Sequence, residues 1–308
     1  MGERERENTI PWIKMKKTIL FGGSGFMGPH ILSLNKDIIS IGRSKLPEWV
    51  TNEHIYIDSV DSLEILNTLD FDRVIFLIGN SNHHAINTGK INAFDYNVYP
   101  LKKVLYFLRD KKIKQFLAFS TILMYDTKKM SLPVDEGQPI DPYASEYIFS
   151  KYIAEQICEF YRKYTNIINI RMSNVYGPIM LDRPDLIPTM AKSLIKNGRC
   201  EIWNDKPVRD FIYIKDAADA FIKLLKTDFS GTVNMGTGTA NSVSEVCKIL
   251  ERISGGKINV LNKPVEGHPK FVCDMARLKR LIDWEPKYSL EEGLEETYKT
   301  MQRWVNKM

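Results

Sequence analysis

A doubly wound parallel α/β sheet is the fold this sequence predicts, and two observations carry the prediction. Across residues 18–171, short apolar runs alternate with stretches whose apolar residues recur at helical spacing. That alternation is the pattern of a parallel sheet with helices on both faces. The first run also ends in a glycine-rich turn. Lys16–Leu32 reads KKTILFGGSGFMGPHIL, with Gly22, Gly25 and Gly28 three apart between a strand and a helix. At 308 residues the chain is long enough to bury one large core or two lobes.

Taken in order, Thr18–Phe21 is the first strand. Asp37–Ile41 (DIISI) is a second, apolar enough to be buried on both faces, His54–Ile57 a third and Arg73–Ile78 (RVIFLI) a fourth. Ser62–Leu69 has a helical pattern, and Ala93–Arg109 carries apolar residues at the spacing of one helix. Gln115–Ser120 (QFLAFS) returns to strand, Ser145–Tyr164 is a long helix, and Ile167–Arg171 is another strand. Beyond Gly177 the rhythm loosens. Helices are expected at Pro188–Lys196, Asp216–Leu225, Val243–Ile253 and from about Leu290 onward. Strands are expected at Glu201–Trp203, Thr232–Met235 and Lys257–Leu261. Turns at Pro178, Pro184, Pro264, Pro269 and Pro286 punctuate this half. The expected division is a dinucleotide-binding Rossmann domain with the catalytic residues at 15–177 and a smaller lobe at 178–308. The two are partly interleaved, with elements around 210–236 returning to the first.

Composition narrows the partners. Lys and Arg (43) exceed Asp and Glu (38) by a mild +5, and the basic residues are scattered, so nothing calls for nucleic acid. Cys158, Cys200, Cys247 and Cys273 lie far apart with no CxxC pair, as expected of four free thiols in a reducing cytoplasm. No apolar run approaches the roughly 20 residues needed to cross a membrane. The leader 1–14 is charged and lacks the apolar core of a secretory signal. It is either a short extension or precedes a true start at Met15.

The glycine turn has a chemical reading. Gly22 can take backbone angles closed to other residues. Gly25 lets the backbone approach a pyrophosphate, and Gly28 allows close packing of helix and strand. The free amides and positive end of the helix then face the phosphates. Parallel sheets bind ligands at the carboxyl ends of their strands, so the chemistry is expected just after Phe21, Ile41, Ile78, Ser120 and Arg171.

Tyr147 and Lys151 stand four apart on the long helix and therefore share a face. A free tyrosine has a pKa of about 10, and a neighbouring ammonium lowers it by stabilising the phenolate. Such a phenol exchanges protons with an alcohol or carbonyl while hydride moves to or from a nicotinamide. Tyr99/Lys103 and Tyr125/Lys129 have the same spacing, so spacing alone singles out nothing. Tyr99 precedes Pro100 and Tyr125 is expected in a polar turn. Only Tyr147 lies on a long helix after a strand ending in hydroxyls, Ser120-Thr121.

The chain resembles the extended short-chain dehydrogenases/reductases of the nucleotide-sugar epimerase/dehydratase type, from about Lys17 to Trp304. The signposts come in order. They are Gly22-x-x-Gly25-x-x-Gly28, Asp58, Leu77-Ile78-Gly79, Asn97-Val98, Ser120-Thr121 with Tyr125, and Tyr147-x-x-x-Lys151. Arg171-x-x-Asn174-Val-Tyr-Gly-Pro178, Arg209-Asp-Phe and Trp284-Glu-Pro follow. The resemblance implies that Thr121, Tyr147 and Lys151 are catalytic, with Ser120 as the neighbouring fallback for Thr121. It implies a cofactor surface of Gly22, Ser24, Gly25, Phe26, Met27 and Gly28, continued by Arg43, Ser44 and Asp58. Leu77, Ile78, Gly79, Asn97, Ser120, Tyr147, Lys151 and Met172 complete that surface. It further implies a nucleotide-sugar substrate in the smaller lobe, held by Thr121, Asn174, Trp203, Arg209, Lys263 and Lys270. Arginine suits a pyrophosphate because its planar fork matches phosphate oxygens. The plainer alternatives are a surface Arg209, a core Trp203 and solvated lysines. By the same resemblance, Ala93–Arg109 and Ser145–Tyr164 are the helices of a homodimer.

Two departures refine the expectation. Sugar 4,6-dehydratases of this type carry an Asp-Glu pair after the catalytic threonine, where this chain has Ile122-Leu123. An apolar pair cannot shuttle protons, which argues against elimination by that route; the missing carboxylate also argues against decarboxylation. After the second strand, NAD-preferring members carry an acidic residue where this chain has Gly42-Arg43-Ser44. Arg43 can pair with a 2′-phosphate, which points to NADP; if it stacks on adenine or points to water, NAD stays usable. The expected function is therefore reduction of a nucleotide-linked 4-keto sugar. A 4-epimerase retaining NAD is the alternative. A non-catalytic sensing or scaffolding member is a third, and intact Tyr147, Lys151 and Thr121 argue against it. His83-His84 read as a loop pair near the substrate mouth rather than a metal site, since adjacent side chains diverge.

Overall fold

β-branched and aromatic residues fill the segments KTILF, IISIG, FDRVIF, QFLAFST and NIINIRM, and these form the centre of one sheet. The computed structural model describes residues 16–178, 185–264 and 269–305. The expected leader 1–14 and the turn at Pro184 lie outside the described residues. In chain order the elements begin with β1 (Lys17–Phe21), α1 (Gly28–Leu34), β2 (Ile38–Gly42), β3 (His54–Tyr56) and β4 (Phe71–Phe76). Next come α2 (His83–Asn87), α3 (Ala93–Asn97), α4 (Tyr99–Leu108), β5 (Gln115–Thr121), α5 (Glu146–Tyr161) and β6 (Asn166–Met172). These lead to β7 (Asn174–Tyr176), α6 (Leu186–Asn197), β8 (Arg199–Ile202), β9 (Val208–Arg209), β10 (Phe211–Tyr213), α7 (Ile214–Leu224) and β11 (Gly231–Met235). Last come β12 (Asn241–Ser242), α8 (Val243–Ser254), β13 (Lys257–Val260), α9 (Ala276–Leu281) and α10 (Leu290–Val305).

Seven strands form a parallel sheet in the order β11-β6-β5-β4-β1-β2-β3. The chain winds outward from β1 in both directions. The crevice between the carboxyl ends of β1 and β4 is thus a topological switch point, where such sheets bind ligands. Successive residues of a strand point to opposite faces, and β1 serves two cores accordingly. Leu20 packs with Ile31, Ile75 and Leu117 on one side. Ile19 and Phe21 pack with Val74, Leu105 and Cys158 on the other. Each such buried side chain contributes roughly 1.5–3 kcal/mol.

Residues from the second half of the chain complete this sheet. β11 pairs with β6, Gly231 opposite Ile168 through Met235 opposite Met172. α7 packs against α1. The smaller pairings are β7 with β10, β9 with β12 and β8 with β13. α8 starts on a capping box between Ser242 and Glu245 and stops at Gly255, whose φ of 69° is left-handed. The four cysteines are free and buried. Among the described residues, no helix is long and apolar enough to cross a membrane.

Three expectations need correction. Ser62–Leu69 is only a 3₁₀ turn at Glu64–Thr68. Ala93–Arg109 is two helices broken at Val98, because Pro100 has no amide to donate and its ring clashes with the preceding turn. The fourth strand runs two residues earlier than expected, so Leu77, Ile78 and Gly79 leave the sheet as a loop. Leu77 N still donates to Phe21 O at 3.0 Å, which carries that loop out beside Gly22. The elements missed altogether are short: α2, β7, β9, β10, β12 and α9.

The glycine turn is built on contact. Gly22 has φ of 87°, and a Cβ there would stand 3.1 Å from Leu77 C. A Cβ on Gly28 would lie 2.5 Å from Gly23 O, so the tight approach is between the helix start and the turn itself. Gly28→Ala is therefore expected to destabilise the protein by about 1–3 kcal/mol, as overpacking does. Denaturant unfolding checks this; an unchanged midpoint would show that the turn yields freely.

Candidate functional site

The carboxyl ends of β1, β4, β5 and β6 open onto one cleft of about 460 Å³. Its floor at β1 is the turn Gly22, Gly25, Phe26 and Met27. Leu77 and Gly79 come from the loop after β4, Ser120 and Thr121 from β5, Met172 and Asn174 from β6 and β7, and Tyr147 and Lys151 from α5. Twelve of the expected residues thus meet in one place, Tyr147 and Lys151 among them.

α5 delivers its polar residues as a stripe. Ser145 caps the helix by accepting a hydrogen bond from Ile148 N at 3.3 Å. Tyr147, Lys151 and Glu155 then recur every four residues on the face turned toward β5. Tyr147 is 3% exposed and Lys151 5% exposed. Lys151 Nζ donates to Phe119 O at 3.1 Å and lies 5.6 Å from the centre of the Phe119 ring. Burial pulls the Lys151 pKa down to about 8, against the opposing pull of Glu155.

Thr121 and Ser120 have different surroundings. Thr121 ends β5, and its Oγ1 accepts from Leu123 N at 3.2 Å. Ser120 Oγ donates to Glu155 Oε1 at 2.5 Å, and Glu155 in turn holds Arg171 through two contacts of 3.0 and 2.8 Å. Ser120 lines the cleft, but its hydroxyl is engaged by Glu155, unlike that of Thr121. Ile122 and Leu123 do line the cleft beside Thr121.

Asn97 does not line the main cleft but fixes one of its walls. Its Oδ1 accepts from Asn80 N at 2.8 Å, and its Nδ2 donates to Asn80 O and Ser150 Oγ at 3.2 and 3.0 Å. A Cβ on Gly79 would stand 2.9 Å from Asn97 Oδ1 and 3.4 Å from Lys151 Nζ, so the backbone approach there requires glycine. Arg43, Ser44 and Asp58 are exposed at the adjoining ends of β2 and β3, where Ile57 N donates to Gly42 O. Ser24 and Ile78 are half-buried beside the cleft-lining turn and loop.

The expected substrate residues of the smaller lobe are not brought to the cleft, Asn174 excepted. Arg209 Nη1 donates to Val208 O at 2.9 Å and Pro269 O at 3.4 Å, and burial lowers its pKa. Trp203 is 63% exposed, neither core nor cleft. Lys263 and Lys270 are exposed, with Lys263 N on Trp203 O at 2.8 Å and Lys270 paired to Val208. These residues sit on strand ends and rim loops, whose placement follows loop paths rather than sheet register.

The rival Tyr/Lys pairs fall away. Tyr99 and Lys103 both bind Asp61, at 2.7 and 2.9 Å. Tyr125 is not in a polar turn. It is buried, its hydroxyl donates to Asn234 Oδ1 at 2.7 Å, and burial pushes its pKa up to about 12. Several cleft residues escaped the sequence reading: Asn80, Ser81, Asn82, Ser173, Asp185 and Phe211. His83 lines the cleft, as its expected place near the substrate mouth implies, but it opens α2 rather than lying in a loop, and its stack on Tyr147 escaped the sequence reading.

The site fits a dinucleotide on two observations. Gly22 and Gly25 present bare backbone to the cleft at the end of β1, with no side chain between it and a pyrophosphate. Ser173 Oγ, buried in a residue of the cleft wall, has no hydrogen-bond partner among the described residues.

Comparisons with known proteins agree. The model of the NAD dependent epimerase/dehydratase family matches residues 18–236. UDP-glucuronate 4-epimerase of Thermodesulfobacterium geofontis is 30% identical over 240 residues, covering 76% of this chain and 73% of that protein. The structure of UDP-glucose 4-epimerase from Thermotoga maritima with UDP-glucose superposes with a TM-score of 0.85 at 24% identity, covering 94% and 99% of the two chains. UDP-glucuronic acid 4-epimerase of Bacillus cereus with UDP-glucuronic acid and NAD gives 0.80 at 22% identity, again over 94% and 99%.

The buried Glu155–Arg171 pair generates a prediction. Glu155→Gln leaves Arg171 without its counter-charge and frees Ser120, and is expected to cost about 3–5 kcal/mol of stability. Denaturant unfolding measures it; a loss below about 1 kcal/mol, the scale of an exposed pair, would contradict the assignment.

Proposed function

The chain belongs to the NAD dependent epimerase/dehydratase family, and on that premise we propose that it inverts C4 of a nucleotide-linked sugar through a transient 4-ketone. One observation carries the reading: Tyr147, Lys151 and Thr121 meet on the cleft above the glycine turn, beside the apolar Ile122 and Leu123. That set suits hydride and single-proton chemistry and lacks the carboxylates that elimination needs.

On this reading residues 15–177 carry the dinucleotide and the catalytic groups, and 178–308 close the sugar-nucleotide side of the cleft through Asp185, Leu186, Ile187, Pro188 and Phe211. Gly22, Gly25, Phe26 and Met27 hold the dinucleotide from below, and Lys151 holds it beside Phe119. NAD, when bound, supplies the hydride acceptor and donor. Tyr147 takes the proton from the C4 hydroxyl as hydride leaves C4, and gives it back to the ketone oxygen when hydride returns to the opposite face of C4. Lys151 favours the phenolate that does this, and the Thr121 hydroxyl holds the C4 oxygen. Ile122 and Leu123, which line the cleft beside Thr121, offer no group to carry a second proton. The similar proteins include two 4-epimerases whose structures hold UDP-sugars, which supports a UDP-sugar substrate.

A second reading, an NADPH-consuming 4-keto sugar reductase, is favoured by the exposed Arg43 and Ser44 at the end of β2, where no acidic residue stands. A homodimer through α4 and α5 is supported by exposed aromatics on those helices, Tyr106 at 58% and Phe160 at 60%.

Purified protein is denatured and its released dinucleotide identified, and native protein is assayed on UDP-sugars. The expected result is bound NAD and interconversion of C4 epimers without net consumption of cofactor. An empty site that oxidises NADPH would replace this reading by the reductase. Tyr147→Phe is expected to lower kcat by about 10²–10⁴-fold while cofactor binding persists; normal turnover would remove Tyr147 from its role. Arg43→Ala should weaken NADPH more than NADH, and equal effects would reject a 2′-phosphate contact.

A further inference from the structure

The proton carrier proposed above does not stand alone in the cleft. The ring of His83 lies over that of Tyr147, with centroids 4.1 Å apart and planes 21° from parallel. Both rings line the cleft. His83 is half-buried, while Tyr147 is almost wholly so, and Ile86 and Ala93 pack with the phenol as well.

A closed circuit of hydrogen bonds holds the stack. Asn82 caps α2 by accepting from Ala85 N at 3.0 Å, and its own amide donates to Asn80 Oδ1 at 2.8 Å. Asn80 is gripped through both its backbone N–H and its carbonyl by Asn97. Asn97 Nδ2 reaches Ser150 Oγ at 3.0 Å, and Ser150 Oγ donates to Tyr147 O at 2.7 Å. From the far end of α2, Asn87 Oδ1 accepts from Tyr147 N at 3.4 Å. Asparagine and serine side chains thus tie both ends of α2 to the first turn of α5. The backbone segments that carry the imidazole and the phenol are thus held against each other, and the ring stack forms between them.

We propose that His83 is a positioning residue for the reaction: its ring fixes the orientation of the Tyr147 phenol, so that the hydroxyl meets the sugar oxygen without searching. The inference rests on Tyr147 being the proton carrier. A tilt of the phenol about its Cα–Cβ bond would displace the hydroxyl, and the imidazole face lying over the ring blocks that tilt on one side while Ile86 and Ala93 pack beside it. A misplaced reacting group lowers the rate of the chemical step rather than the affinity for ligands. Near-parallel aromatic contact is geometric, so phenylalanine is able to replace histidine in this role.

The test has two arms. In the first, which needs no turnover, the ring signals of labelled tyrosine are recorded by NMR and Tyr147 is assigned by its loss in Tyr147→Phe. His83→Ala is expected to shift that signal through loss of the ring current, and His83→Phe to keep it displaced. A signal unmoved by His83→Ala would overturn the stack itself. In the second arm, His83→Ala is expected to lower kcat about fivefold, the scale of one aromatic contact. KM and dinucleotide affinity should stay within about twofold, and His83→Phe should restore most of kcat. Wild-type kcat in His83→Ala, a loss confined to KM, or a His83→Phe as slow as His83→Ala would each overturn the proposal. Should His83→Ala fold poorly, His83→Gln keeps the bulk without a ring face and is expected to behave like it. Failure of the epimerase reading shows separately, as wild-type protein with no turnover of any UDP-sugar.

Discussion

Placing an ammonium group where water barely reaches it costs free energy, and the rest of the site is arranged around the one at Lys151. Its neighbours offset part of that cost: the Phe119 carbonyl accepts one of its protons, and Glu155 lies one turn further along the same helix. Glu155 is itself held by Ser120 and Arg171, so the polar face of α5 is tied to both β5 and β6. The offset is incomplete, because burial still leaves Lys151 with a pKa of about 8. The unfolded chain binds the proton more tightly than the folded one between that value and an ordinary lysine pKa of about 10.4. Stability at this residue therefore rises with pH through that window and is reduced below it. A fold that retains such a group gives up stability for a charge beside Tyr147.

That exchange explains why the sheet topology and the site are inseparable. The order reversal at β1 and β4 opens a crevice, and the register of Phe21 with Phe76 brings the glycine turn and the Leu77–Gly79 loop out side by side. β5 ends two residues beyond Phe119 in Thr121, so the carbonyl that holds Lys151 and the hydroxyl that faces the cleft lie on one short stretch of strand. Moving β5 by one residue would turn Thr121 to the other face of the sheet and take the Phe119 carbonyl away from Lys151.

The parts of this arrangement that obey local rules were legible in the residues themselves. Glycines at a strand–helix turn, a Tyr and Lys one helical turn apart, and hydroxyls at a strand end all follow from period and spacing. So did most strands, because each is an apolar run bounded by turn residues. What escaped depends on where distant segments return. His83 was read with His84 as a loop pair, since nothing in the sequence says that α2 folds back over α5. Tyr125 was assigned to a polar turn, although its hydroxyl finds Asn234 more than a hundred positions later. Arg209, Trp203, Lys263 and Lys270 were placed by resemblance, and their strand ends and rim loops leave them off the cleft. Ser120 was judged by its neighbour Thr121, but alternation along β5 gives the two hydroxyls different partners.

On the proposed function, a buried lysine that is still protonated keeps the phenol of Tyr147 reactive. The most direct measurement is kcat/KM of the wild-type enzyme against pH, with stability checked at each point. The rate is expected to fall as pH rises through about 8, where Lys151 gives up its proton. A rate that stays level to about pH 10, the ordinary tyrosine value, would contradict it.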